Sequence, residues 1–474
     1  MEQNRAYKKW MFILLPALAM SLGWGLRGHI GGGPYGAMIP GAMVALSICL
    51  LLELPRTFSA LVVVFGVAGV GIGGEMTYGQ TLGFLRNMDT VWWGTFGTTV
   101  KGATWGFLGG MILSLGFLHR QIPLKTLLYA YLWLFVGMVI GFKLINDPMV
   151  LYFSYPEKPR PESWAALLVG GIAMLTYLRF KLPTVSRQLV TRFSLWGLLG
   201  GGLGFGLGGF WFVVGGKLGD AVIYHDWWKA MEFSFGALLG AALGFAAWLS
   251  RRTIQELAQE KSDLENEHGW VYQELLIGLG AGLLIYWLVP YTLEPFADGA
   301  SGTDSFMMVG LRTVATILVN YAFFGLILIL IALKFPWAAW QLGITLTFCH
   351  AAIDLIRDFY PDTNRWTPFT MYFLFVFLLT ANVGVLVSYY KQNERLVRNL
   401  FLLLIWACML ISFGRWALHP ERLNIDGLSF MQVLFGRFAV DLIFFSEAVI
   451  LTVLLKRWFG DTKPERIKVA SYSQ

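Results

Sequence analysis

Charge is scarce in this chain. Asp, Glu, Lys and Arg make up 14% of its 474 residues, against about 25% in a soluble domain. Cysteine is scarcer still. Cys49, Cys349 and Cys408 have no paired spacing, which excludes a disulfide framework and a Cys-x-x-Cys zinc or redox site. Cys349 beside His350 makes no ligand pair, because adjacent residues on a helix point in different directions. Stretches of alternating apolar and polar residues are missing, so strands are excluded as the main element. Also missing are a Walker pattern, His-Glu-x-x-His and Gly-x-Ser-x-Gly. ATP-driven transport within this chain, zinc proteolysis and serine hydrolase chemistry therefore have no support.

What is present is hydrophobic: 56% of residues, with mean hydropathy +0.60. Apolar runs of about 18 residues or more recur along the whole length, each long enough to cross a bilayer. The expected fold is all-α, a polytopic transmembrane bundle of about 14 spans. They fall near 10–27, 35–54, 57–74, 91–117, 124–145, 163–180, 190–214, 227–250, 270–291, 307–334, 337–357, 369–390, 396–418 and 429–456. Phe335-Pro336 reads either as the join of two spans or as a kink within one, so 12 or 13 spans remain open.

The net charge of +7 reports loops on one side of the membrane rather than nucleic acid. With the N-terminus inside, alternate loops hold Arg56, Arg120 and Lys125, then Arg179, Lys181, Arg187 and Arg192. Further along they hold Arg251, Arg252 and Lys261, then Lys391, Arg395 and Arg398, and a basic tail from Lys456. This alternation predicts a multi-pass protein of a bacterial-type plasma (inner) membrane with both termini cytoplasmic. Met1–Trp10 is expected to lead into an uncleaved first span. The predicted division is an eight-span bundle over 1–250, a cytoplasmic connector helix over 251–269, a six-span bundle over 270–458 and a basic tail over 459–474.

One pattern organises the N-terminal half. Gly23-Trp-Gly-Leu-Arg-Gly-His29 is echoed by Gly69-Val-Gly-Ile-Gly-Gly-Glu75 and Gly204-Phe-Gly-Leu-Gly-Gly-Phe210. Each copy closes an outgoing span. Each returning span is expected to open with Gly-Ala on the outer side, at Gly36-Ala37, Gly102-Ala103 and Gly236-Ala237. The repeat unit is thus a helical hairpin in parallel orientation. A dinucleotide fingerprint is rejected, since no strand precedes the glycines. Two readings remain. The glycines let helices pack closely, or they make turns whose free N–H groups, with three helix N-termini, converge on an anion.

Charges within spans are expensive and mark sites or buried ion pairs. Arg27 and His29 sit in the first copy, with Glu75 at the His29 position of the second. Lys101 lies well inside a span, with Glu75 or Glu232 as its expected partner. Glu232 follows Asp226 and Lys229, and Arg312 opens another span. His350, Asp354, Arg357 and Asp358 share one helical face. Arg437 and Asp441 form an i,i+4 pair, while Glu447 lies deeper with no local partner. The Trp92-Trp93 and Trp227-Trp228 pairs and Trp366 fit interfacial belts.

Arg27, His29, Glu75, Lys101, Glu232, Arg312, His350, Asp354 and Arg357 are the expected substrate-binding set, with no catalytic residue, metal or cofactor assigned. The leading expectation is a secondary transporter or flippase-like permease for a small anionic or zwitterionic substrate bound in a polar pocket on the outward side. The alternatives are a membrane-embedded transferase acting on lipid-linked sugar or acyl donors at the outer leaflet, and a non-catalytic scaffold subunit of a membrane complex. Membrane lipids are expected partners, nucleic acid is not, and a homo-oligomer is left open.

Overall fold

The computed structural model of the protein describes residues 7–30, 32–160, 162–218, 226–259, 305–351, 395–418 and 425–460, with parts of 272–299 and 378–393. Among these residues all regular structure is helical, and there is no strand. The principal helices are α1 (Lys9–Ile30), α2 (Gly33–Gly36), α3 (Met38–Leu51), α4 (Arg56–Ile72), α5 (Gly79–Gly83) and α6 (Val91–Phe117). They continue with α7 (Leu124–Gly141), α8 (Trp164–Lys181), α9 (Thr184–Leu218) and α10 (Trp227–Gln259). The C-terminal part adds α11 (Phe306–Val319), α12 (Tyr321–Lys334), α13 (Leu396–Leu418) and α14 (Ala439–Phe459).

Eight helices among the described residues are long and apolar enough to cross a membrane, and up to ten if each of two bent pairs is one span. The chain is an all-α, multi-pass membrane protein. The predicted spans at 307–334 and 429–456 are both broken, with bends of 63°. Asn320 causes the first break. Its backbone is extended, and its side chain accepts a hydrogen bond from the Ala322 amide at 2.9 Å, starting a new helix. Two further boundaries shift. α10 runs past residue 250 to Gln259, into the expected connector. Phe335-Pro336 is a join: α12 stops at Lys334, and a short turn over Pro336–Ala338 follows.

Six helices close into a ring, in the order α1, α3, α4, α6, α9, α10 and back to α1. Glycine sets the close approaches. Along α6, Gly102 and Gly106 lie against the carbonyls of Gly201 and Gly197, and Gly110 against that of Phe193. Along α10, Gly236, Gly240 and Gly244 lie against the carbonyls of Met20, Pro16 and Phe12. Gly41 of α3 meets the Gly66 carbonyl of α4. In the first two seams the spacing of four places the glycines on one stripe, so two backbones touch where side chains would hold them apart.

The same contacts explain the repeated pattern and correct part of its reading. Gly23 receives Pro40 and Met43, Gly25 receives Phe233 and Phe444, and Gly28 receives the Glu232 carboxylate. Gly69 receives Ile112, Gly71 the Tyr321 ring and Gly73 the Trp105 indole. Gly204 receives Phe235, and Gly206 receives Thr99. In the first and third copies these glycines are notches in continuous helices: the first lies inside α1, and the third lies inside α9 with a further turn and more beyond it. Their amides belong to the helix ladder, so the expected turns with free N–H groups are not formed there, whereas the second copy runs off the end of α4 at Ile72 into a 3-10 turn over Gly73–Glu75. Gly102 and Gly236 lie well inside α6 and α10 rather than at their N-termini.

At the end opposite the hairpin turns, His119 closes the α6–α7 turn. Its Nδ1 lies 2.7 Å from the Gly116 carbonyl, and its ring packs on Phe58 at 4.6 Å. Burial is the main cause that pushes its pKa down from 6.5 to about 4, and Arg120 adds to it. The unfolded chain therefore takes up a proton before the folded one does. Stability is full above pH 6.5 and falls as the pH drops towards 4, by about 2–3 kcal/mol. Thermal unfolding in detergent across this window should slope less steeply for His119→Asn than for the parent. Equal slopes would remove His119 as the cause.

Candidate functional site

Arg27 occupies the last turn of α1, at the ring's mouth, and is only 4% exposed. Its guanidinium donates to the Tyr78 hydroxyl and to the Gly33 carbonyl, the latter at 3.3 Å. Three rings surround it: its central carbon lies 5.2 Å from the Trp105 centroid, 5.6 Å from Tyr78 and 5.9 Å from Trp24. Such contacts favour a desolvated cation but do not neutralise it. Burial holds the Tyr78 phenol above its ordinary value of 10.0 despite the opposing pull of Arg27, so Tyr78 is neutral. The buried Arg27 Nε has no hydrogen-bond partner. Among the described residues, no carboxylate lies within ion-pair distance of Arg27.

The ring's interior is closed beneath Arg27. Trp24 stands edge-on to Trp105 at 4.8 Å and to Phe235 at 4.3 Å, and Phe205 stacks on Phe235 at 5.0 Å. Four helices thus contribute a floor of rings. Tyr78 covers the opposite side, packed on Phe205 at 5.2 Å and on Trp228 at 5.6 Å. Further from the mouth, Leu239 and Leu243 of α10 lie against Gly106 and Gly110 of α6, and both leucines are buried.

Beside Arg27 lies a neutralised pair. Lys229 Nζ is 2.5 Å from Glu232 Oε2 and donates to the Gly25 carbonyl at 3.3 Å. Trp228 Nε1 donates to Glu232 Oε1 at 2.9 Å. The carboxylate seats on the backbone of Gly28, where a Cβ would overlap both of its oxygens. Lys229 and Glu232 cancel each other, which leaves the mouth with the uncompensated charge of Arg27. The helix N-terminus next to them is already occupied: Asp226 Oδ1 accepts from the Lys229 amide at 3.0 Å and caps α10.

The other expected site residues are placed elsewhere. Lys101 pairs with neither Glu75 nor Glu232. Its Nζ meets Glu162 Oε1 at 2.9 Å, Thr81 Oγ1 at 2.8 Å and the Thr77 carbonyl at 2.7 Å. Glu162 also accepts from Ser154 Oγ at 2.8 Å and from the Phe153 amide at 3.2 Å. This buried pair is fully hydrogen-bonded and ties the 147–163 loop to α6. Glu75 accepts from the Tyr321 amide at 2.6 Å, so it holds the start of α12 rather than the Arg27 pocket. His29 lies against Phe444 at 5.5 Å, and His350 lies against Tyr35 at 5.8 Å. Arg312 sits in the second turn of α11 and donates to the Phe296 carbonyl. Asp354, Arg357, Asp358 and Trp366 lie outside the described residues. Trp92 is exposed, whereas Trp228 donates to Glu232.

The sequence reading missed Tyr78, Trp105 and Glu162 as partners of these charges. No protein-family profile, curated protein or solved structure matches this chain.

Proposed function

We propose that the protein is a permease for an anionic or zwitterionic substrate whose carboxylate or phosphate is held by Arg27. The carrying observation is the buried guanidinium, caged by three rings, with an unpartnered Nε and, among the described residues, no carboxylate within ion-pair distance. A desolvated charge left in this state costs several kcal/mol, and an anionic ligand would remove that cost. The three hairpins are read as a threefold repeat: α1–α3, α4–α6 and α9–α10 follow one another around the ring. In that register Arg27 corresponds to Gly73 and Gly208. The repeat thus presents a small residue to the ring twice and a cation once. Two broken helices support movement, since discontinuous spans recur at the substrate sites of transporters.

One observation favours a second reading. Beneath Arg27 the ring is floored by Trp24, Trp105, Phe205 and Phe235. That suits a transferase that takes a lipid-linked anionic donor from one leaflet only.

The test is a native mass spectrum of gently purified protein beside Arg27→Gln, followed by reconstitution. An anionic adduct present in the parent and at least about tenfold weaker in Arg27→Gln is expected, as for loss of a desolvated charge pair. Flux of that anion into proteoliposomes supports the permease, and its turnover in detergent without flux supports the transferase. An adduct retained in full by Arg27→Gln removes Arg27 from the site.

A further inference from the structure

Glu447 is used by nothing described so far. It sits in the middle of α14, the second half of a broken helix, on the outer wall of the ring. Its Oε1 accepts from Ser21 Oγ of α1 at 2.6 Å. Its Oε2 is buried without a hydrogen-bond partner. An ionised carboxylate within a span is costly unless it is paired, and the described residues offer it no cation within ion-pair distance. A proton satisfies both the charge and the geometry.

A packed chain joins this carboxyl to Arg27. One turn from Glu447, Phe444 enters the Gly25 notch of α1, where it meets Phe233 at 5.2 Å. Phe233 adjoins Glu232 on α10, and the Glu232 carboxylate fills the Gly28 notch next to Arg27. His29 lies against the same Phe444 ring. A shift of α14 along α1 therefore acts on both notches that set the Arg27 end.

We infer that Glu447, clasped by Ser21 between α1 and α14, is a proton-binding site coupled to occupancy of the Arg27 pocket. This rests on the permease reading and names the coupling ion as a proton. The ionisable groups on the elements packed around it include Lys9, Arg27 and His29 on α1, the Lys229–Glu232 pair on α10, Asp441, Lys456 and Arg457 on α14 itself, Arg437 in the turn before it, and Arg398 and Cys408 on α13.

A hydrophobic carbodiimide tests the inference without a known substrate. It adds the O–H of a protonated carboxyl across its C=N bond, and the adduct rearranges to a stable acylurea located by peptide mass. Modification of Glu447 in the intact protein should rise as pH falls, be absent in Glu447→Gln, and be unaffected by sodium. In Arg27→Gln, its rate at fixed pH should change about fivefold or more, the scale of an ordinary coupling, and inorganic phosphate should change it in the parent only. No modification of a folded parent overturns the proton site. Protection by sodium overturns the choice of ion. A rate indifferent to both phosphate and Arg27→Gln overturns the coupling and reduces Glu447 to a structural acid. Loss of the anion adduct in Arg27→Gln with an unreactive Glu447 would leave the permease reading standing and only this inference refuted.

Discussion

Lys101→Met should destabilise the bundle by about 3–5 kcal/mol, the range for removing one partner of a buried pair. Lys101 is 1% exposed and Glu162 is fully enclosed at its side chain. Without Lys101, Glu162 keeps the Ser154 hydroxyl and the Phe153 amide, which are too few donors for an ionised carboxylate away from water. Glu162→Gln should cost less, because its amide oxygen still accepts from Ser154 and Lys101 keeps two further oxygen partners, although the Phe153 amide loses its acceptor. The double variant Lys101→Met with Glu162→Gln should recover part of the loss, since no charge then remains buried. A thermal unfolding series in one detergent checks the cycle. Additive losses would show that the two side chains do not act as a pair. Retention of the Arg27-dependent anion adduct in folded Lys101→Met is also expected, because this pair lies outside that pocket.

Lys101 also shows why the site was only partly legible. A lysine inside an apolar span announces a partner, and that much follows from its position alone. The partner, Glu162, lies in a stretch rich in Pro, Glu and Lys that reads as a solvated loop. Only the fold returns this loop to the helix ends. Tyr78 was hidden in the same way, since a tyrosine between two spans looks like an interfacial anchor until Arg27 is found beneath it. Arg27 and Glu232 were legible because charge is conspicuous in an apolar chain. Glu75 shared that conspicuousness but caps a helix that sequence periodicity ran through without a break, so its role waited on the bend at Asn320.

The helices themselves were legible because runs of apolar residues leave the backbone no other way to satisfy its polar groups in lipid. Their closure into a ring was not, because it depends on which face each glycine notches. Gly23, Gly25 and Gly28 look alike in sequence, yet they receive α3, the α10–α14 pair and the Glu232 carboxylate in turn. A motif that invited an anion-binding turn is therefore first a packing motif, and the proposed anion site rests on the side chain of Arg27 within it.

That dependence sets the largest expected effect. Gly106→Ala should abolish the stable fold, with most extracted protein aggregating on size-exclusion chromatography. A Cβ at Gly106 falls well under 3.0 Å from the Gly197 carbonyl, closer than real Cβ atoms come. Neither atom belongs to a side chain that can rotate away, so α6 and α9 must separate. Overpacking against movable side chains already costs about 1–3 kcal/mol, and backbone against backbone exceeds it. Gly197→Ala meets the Gly106 carbonyl in the same way and should fail likewise. Gly310→Ala, in a helix with nothing within 4 Å, should fold as the parent does. If any Gly106→Ala protein is recovered folded, its seam has opened, and Trp105 of α6 moves away from Trp24 of α1. The Arg27 cage then loosens although Arg27 is intact, and the anion adduct should weaken with it. A folded Gly106→Ala protein with parental stability and an undiminished adduct would mean that the seam does not position the cage, and the floor beneath Arg27 would need another support.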